Sequence, residues 1–163
     1  MSVSAEITSG ISEQQVEIQW QPDLMAACPQ ESQIRLWACA AIDDTSAQVT
    51  IRVVDSSEIQ ASNNQWRGID KPTNVLSFPA DFPTETGINY LGDLLVCADV
   101  LERERIEQQK PSADHWGHII VHGVLHLQGY DHENDKDAEQ MEQREREILA
   151  TLGIPDPYAG ENL

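Results

Sequence analysis

The segment His122-Gly-Val-Leu-His126-Leu-Gln-Gly129-Tyr-Asp-His132 spaces three imidazoles as a metal ion requires. His122 and His126 stand at i and i+4, so on a helix both rings project from one face. A third ligand at the next helical position would lie too far along the axis, and the chain must turn back. Gly129 permits that turn, because glycine accepts the left-handed backbone at a helix C-terminus. Three residues later His132 can close the trio. Three neutral imidazoles leave a fourth position on a zinc-type ion for water, whose pKa falls to about 7, as in catalytic rather than structural sites. That water is the expected nucleophile. An i, i+4 histidine pair alone is ordinary helix; the glycine and His132 turn it into a ligand set. Zinc is the default ion, although three histidines also accept nickel, cobalt or iron according to availability.

The spacing follows the metzincin pattern H-E-x-x-H-x-x-G-x-x-H except at one position, where Gly123 replaces the glutamate that serves as general base. A peptidase would lose its proton carrier. Asp131, beside the last ligand, is an outer acceptor, a weak base or simply a turn residue. His115 and His118 continue a histidine-rich stripe upstream; packing or capping roles suit them better than contacts to the ligands or the substrate, and they are left out of the ligand set. Arg67 and Lys71, in the turn-rich run WRGIDKPT, form a local basic pair. An arginine fork suits a phosphodiester, whereas a neutral peptide would give it no purpose. Cys28, Cys39 and Cys97 are odd in number, widely spaced and set among apolar residues, so they read as buried thiols rather than a disulfide frame.

The elements that must position these residues follow from periodicity. Val16, Ile18 and Trp20 alternate with polar residues as in a half-buried strand, and Ile34, Leu36, Trp37, Ala38, Ala41 and Ile42 suit an amphipathic helix. Val49, Ile51 and Val53 form a second strand, after which Asp55 and Ser56 can cap a helix through about Gln65. Arg67 then lies in a charged loop before a third strand, NVLSF. Leu91 to Val96 form a fourth strand, interrupted by Asp93. Helices over about 98–109, 112–128 and 134–152 complete the chain, separated by Pro111 and Gly129. This order predicts an α+β fold, one mixed sheet of about four strands covered by helices.

A chain of 163 residues fits a single domain. We expect a flexible leader over 1–13, a catalytic domain over 14–155 and a flexible tail over 156–163. Nothing approaches the ~18 unbroken apolar residues of a membrane span, and the N-terminus lacks the basic and apolar regions of an export signal, so a soluble cytoplasmic protein is expected. The formal charge of -18 disfavours a large nonspecific nucleic-acid surface. Much of the acid lies between Glu133 and Glu147 and at the termini, which leaves a local groove around Arg67 open to phosphate.

Three blocks, HGVLHLQGYDH, WRGIDKPTNVLSFP and LGDLLVC, together resemble the bacterial YbeY endoribonuclease family. They cover the chain from about Trp66 to His132, while the N-terminal third agrees only in its strand and helix pattern. The resemblance implies that His122, His126 and His132 bind zinc and that Arg67 is important for activity. It also implies a zincin-like fold and a metal-dependent, single-strand-specific RNase. The expected role is rRNA maturation, notably at the 16S 3′ end, and ribosome quality control, with single-stranded rRNA and ribosomal proteins as partners and no DNA or membrane. Two other readings stand beside it. One is a metallopeptidase-like hydrolase, which Gly123 disfavours. The other is a zinc-fixed ribosome-assembly module whose acidic surface meets a basic ribosomal protein.

Overall fold

The alternation and helical spacing resolve, in a computed structural model, into four strands and five helices among the described residues, which are 15–24, 28–44, 46–80 and 89–159. In chain order these are β1 (Val16–Trp20), α1 (Glu31–Ala41), β2 (Gln48–Val54), α2 (Ser56–Arg67), β3 (Val75–Pro79), β4 (Tyr90–Cys97), α3 (Ala98–Glu107), α4 (Ser112–Leu127) and α5 (Asp135–Thr151). The sheet order is β1-β2-β4-β3. β1, β2 and β4 run parallel, and β3 lies antiparallel along the outside of β4. The expected α+β class with a mixed four-stranded sheet is what the chain adopts.

Residues of one strand parity share a core with α1, α4 and α5: Val16, Val49, Ile51, Val53, Leu94 and Val96 pack with Ile34, Trp37, Trp116, Ile120 and Leu149. The opposite face is also covered. Val54, Leu76 and Cys97 meet Ile59 of α2 and Val100 of α3. β2 is therefore buried on both sides, since it is central and lies between two helical layers. Asp93, the acid inside β4, points to solvent and is met by the Tyr90 hydroxyl.

The cap expected at Asp55 holds its helix, and Asn134 caps another. The Asp55 carboxylate accepts the Glu58 N–H at 3.0 Å to start α2, and Asn134 accepts the Asp137 N–H at 2.9 Å to start α5. The three cysteines are free thiols, Cys97 buried and Cys28 and Cys39 half-buried. Burial, with the charges of Glu102 and Asp99, pushes the Cys28 thiol up to about 11, which keeps it protonated.

Two expectations are corrected. α2 runs to Arg67 rather than stopping near Gln65, so Trp66 and Arg67 occupy a helical turn and not a loop. The stop comes from Gly68, at φ 70°, whose N–H reaches the Asn64 carbonyl at 3.0 Å. The segment after 155 is not a loose tail as far as residue 159. Asp156 pairs with Arg146 at 3.1 Å, and the Tyr158 hydroxyl donates to Glu145 at 2.5 Å. The expected leader over 1–13 and residues 160–163 lie outside the described residues. No helix among the described residues is long and apolar enough to cross a membrane.

Candidate active site

α4 positions the candidate histidines because its sequence makes it the central helix of the larger core. Its apolar stripe, from Trp116 through Ile120, Val124 and Leu127, faces the sheet and its neighbouring helices. His122 and His126 sit at the edge of that stripe and look into a cleft. Gly123 faces the sheet itself. A Cβ there would stand 2.4 Å from Leu94 Cδ1, inside a fully buried leucine. The Ser77 hydroxyl donates to the Gly123 carbonyl at 3.4 Å. The position where a metzincin places its base is thus occupied by close helix–sheet packing, and no side chain fits.

The return of the chain at Gly129 is a Schellman motif. Gly129, at φ 100°, sends its N–H to the His126 carbonyl at 3.0 Å, and Tyr130 sends its own to the Leu125 carbonyl at 3.1 Å. The Asp131 carboxylate then accepts the His132 N–H at 2.7 Å. The turn delivers His132 to the other two histidines. Ligand-capable nitrogens of His122, His126 and His132 lie within 4.8 Å of one another, with ring centroids 4.7, 5.0 and 5.8 Å apart. Burial, followed by the charges of His122 and His132, pushes the His126 pKa down, which favours the neutral imidazole that coordinates metal.

A fourth partner of this arrangement was not evident from the sequence. Glu145 of α5 is fully buried, yet it is a carboxylate. Its oxygens lie 2.6 Å from His122 Nδ1 and 3.1 Å from His118 Nε2, and it also accepts the Tyr158 hydroxyl. Burial pushes this carboxyl up, but the bonds from His118, His122 and Tyr158 together outweigh it and hold the pKa down to about 2. A carboxylate bound at Nδ1 fixes the His122 tautomer and leaves Nε2 to face the cleft. His118, His122 and Glu145 are themselves close enough to hold an ion, but Glu145 already has a hydrogen-bond donor on each oxygen, so we read them as support for the trio. A sequence signal existed: Glu145 interrupts the α5 stripe of Met141, Ile148 and Leu149. An acid at a core position needs partners.

His115, the other upstream histidine, is buried and bonds Glu104 of α3 at 2.9 Å, and Glu104 also accepts from Asn74 at 3.2 Å. It ties α3, α4 and the start of β3 together and stays apart from the trio, as its packing role requires.

The cleft holds about 900 Å³ between the metal-type trio with its turn on one side and β3 with the end of α2 on the other. Arg67 lines it, exposed, with no ion pair or hydrogen bond among the described residues. By contrast Arg35, Arg52, Arg105, Arg144 and Arg146 are all paired with acids. Lys71 does not line the cleft; its backbone carbonyl accepts from the buried Asn63 at 2.9 Å, which holds the loop after Arg67 against α2. The expected basic pair therefore reduces, at the site, to Arg67.

Fold and site together define a class, an α+β protein with three clustered histidines in a cleft beside the antiparallel edge strand of its sheet. The sequence profile described as Endoribonuclease YbeY matches residues 11–153. The chain is 47% identical over 149 residues to Endoribonuclease YbeY of Halorhodospira halophila, covering 88% of this chain and 97% of that one. It is 48% identical over 141 residues to Endoribonuclease YbeY of Idiomarina loihiensis, covering 83% and 86%. A solution structure of a Thermotoga maritima protein matches with a TM-score of 0.53 at 24% identity, over 85% of this chain and 91% of that one, which bears on the fold alone. This chain belongs to the YbeY endoribonuclease family.

Proposed function

We propose that this protein is a cytoplasmic, metal-dependent, single-strand-specific endoribonuclease that acts in rRNA processing, including the 3′ end of 16S rRNA, and in ribosome quality control. The observation that carries the reading is that Arg67, free of any acidic partner among the described residues, lines the same cleft as His122, His126 and His132. The relatives' names support RNA as the substrate. The three histidines fit a zinc-type ion, because they offer three clustered nitrogens and one of them is already fixed in tautomer by a buried carboxylate. When bound there, zinc supplies Lewis acidity and lowers the pKa of water to about 7.

The remaining work falls to the chain itself. Arg67 grips a phosphodiester through its planar fork and offsets charge that builds up at phosphorus. Glu145 holds His122 in one orientation, and the Asp131 carboxylate holds the backbone of His132. With glycine at position 123, no side chain takes the place of the peptidase base. The acidic exterior suits basic ribosomal proteins as partners.

The test incubates zinc-loaded protein, His122→Ala and Arg67→Ala with single-stranded RNA, matching DNA and casein. RNA cleavage lost in both variants is expected. Casein cleavage would favour the peptidase, and no turnover at full zinc content would favour the assembly module. A 5′-phosphate with 3′-hydroxyl product assigns attack to water, and a 2′,3′-cyclic phosphate assigns it to the ribose.

A further inference from the structure

Three large hydrophobic side chains stand exposed among the described residues: Leu36 at 59%, Ile106 at 62% and Trp66 at 66%. Leu36 and Ile106 lie on α1 and α3, away from the cleft. Only Trp66 lines it, one residue before Arg67. Its indole is not loose. It meets the Phe78 ring of β3 at a centroid distance of 6.4 Å and an interplanar angle of 70°, an edge-on contact that braces the indole while two-thirds of the side chain remains open. Phe78 lines the same cleft. A braced, exposed aromatic platform beside an unpaired guanidinium is a pair of contacts suited to one nucleotide, stacking for the base and a fork for the phosphate.

Charge makes such a platform necessary. The chain carries -18, and the cleft sets Asp131 and Glu133 against a single cation, Arg67. Phosphate contacts alone give an acidic protein little hold on a polyanion. Stacking is indifferent to net charge, and it requires a base free of a duplex. We infer that Trp66, braced by Phe78, is a nucleobase-stacking subsite that holds an unpaired base of the RNA strand next to the phosphate gripped by Arg67. This rests on the endoribonuclease reading, and it supplies a physical basis for preference for single strands.

The protein reports on itself. Of its four tryptophans, Trp37 and Trp116 are buried and Trp20 is half-buried with its indole N–H on Glu31, so the exposed emission belongs to Trp66. The full zinc-loaded chain is mixed in a stopped-flow instrument with a single-stranded oligoadenylate of about eight nucleotides, or with a ribose-phosphate strand of equal length lacking bases. Oligoadenylate is expected to quench the exposed emission before turnover, and the base-free strand is not. Trp66→Leu is expected to lose the quenching and to raise KM for RNA about 10- to 100-fold with kcat little changed, while Trp66→Phe recovers most of the KM. Equal quenching by the base-free strand, or an unchanged KM in Trp66→Leu, overturns the subsite. Quenching by oligoadenylate without any RNA product supports the subsite while removing the endoribonuclease reading, so the two fail separately.

Discussion

Glu145 shows how much of the site depends on a residue that touches no substrate. Its carboxylate is wholly buried and lies 2.6 Å from His122 Nδ1, so the imidazole cannot rotate or change tautomer without breaking that bond. Replacing it by glutamine keeps the shape and removes the charge that orients the ring. Glu145→Gln is expected to weaken zinc binding about 10- to 100-fold, measured by competition with a chromogenic chelator. Zinc retention equal to that of the parent would show that His122 needs no such partner. At Gly123 the constraint is steric. Gly123→Glu must displace Leu94, whose Cδ1 stands 2.4 Å from the new Cβ, and is expected to cost about 1–3 kcal/mol in a denaturation experiment without giving casein cleavage. The trio was legible because its spacing is local, two histidines one helical turn apart and a third behind a glycine. Glu145 was not, since it joins His122 only across 23 residues of chain.

Elements set the accuracy of the site through their ends. α4 stops in a Schellman motif at Gly129, φ 100°, and α5 stops in the same motif at Gly153, φ 75°, where Ile154 N–H reaches the Leu149 carbonyl at 2.9 Å. A Cβ meets nothing within 4 Å at either glycine, so the cost of alanine is backbone strain alone, about 1–2 kcal/mol. Only Gly129 aims a histidine of the trio. Gly129→Ala and Gly153→Ala are therefore expected to lower Tm by similar amounts, while only Gly129→Ala loses zinc affinity. A matched loss of zinc in both variants would reduce the motif at Gly129 to plain stability. Strand parity and the cap at Asp55 were readable, because pleat and capping are properties of neighbouring residues. The end of α2 was not. Trp66 and Arg67 sit among turn-formers, and only the left-handed Gly68 fixes where the helix stops. The docking of the segment after 155 was equally hidden, since Tyr158 finds its partners on α4 and α5.

At the scale of the whole molecule, one buried carboxylate, Glu145, and one half-buried, Glu104, bind the last helices to the rest and make stability depend on acid. Glu145 is held down to about 2 against the opposing effect of burial. Glu104 is also lowered, its bonds from His115 and Asn74 outweighing burial. Both bind fewer protons folded than unfolded, so their contribution is complete above the ordinary carboxyl range near 4.5 and is lost as pH falls through the folded values. Tm is expected to drop between about pH 4.5 and 2, with a shallower fall in Glu104→Gln; an identical profile in that variant would discount the His115 pair. The same architecture orders events in time. His122 is synthesised 23 residues before Glu145, and Tyr158 follows the His118 it meets by 40 residues. At about 5–20 residues per second, translation adds seconds during which the histidines exist without the groups that orient them. Synthesis in this order leaves the proposed site incomplete until the last helix of the chain has been made.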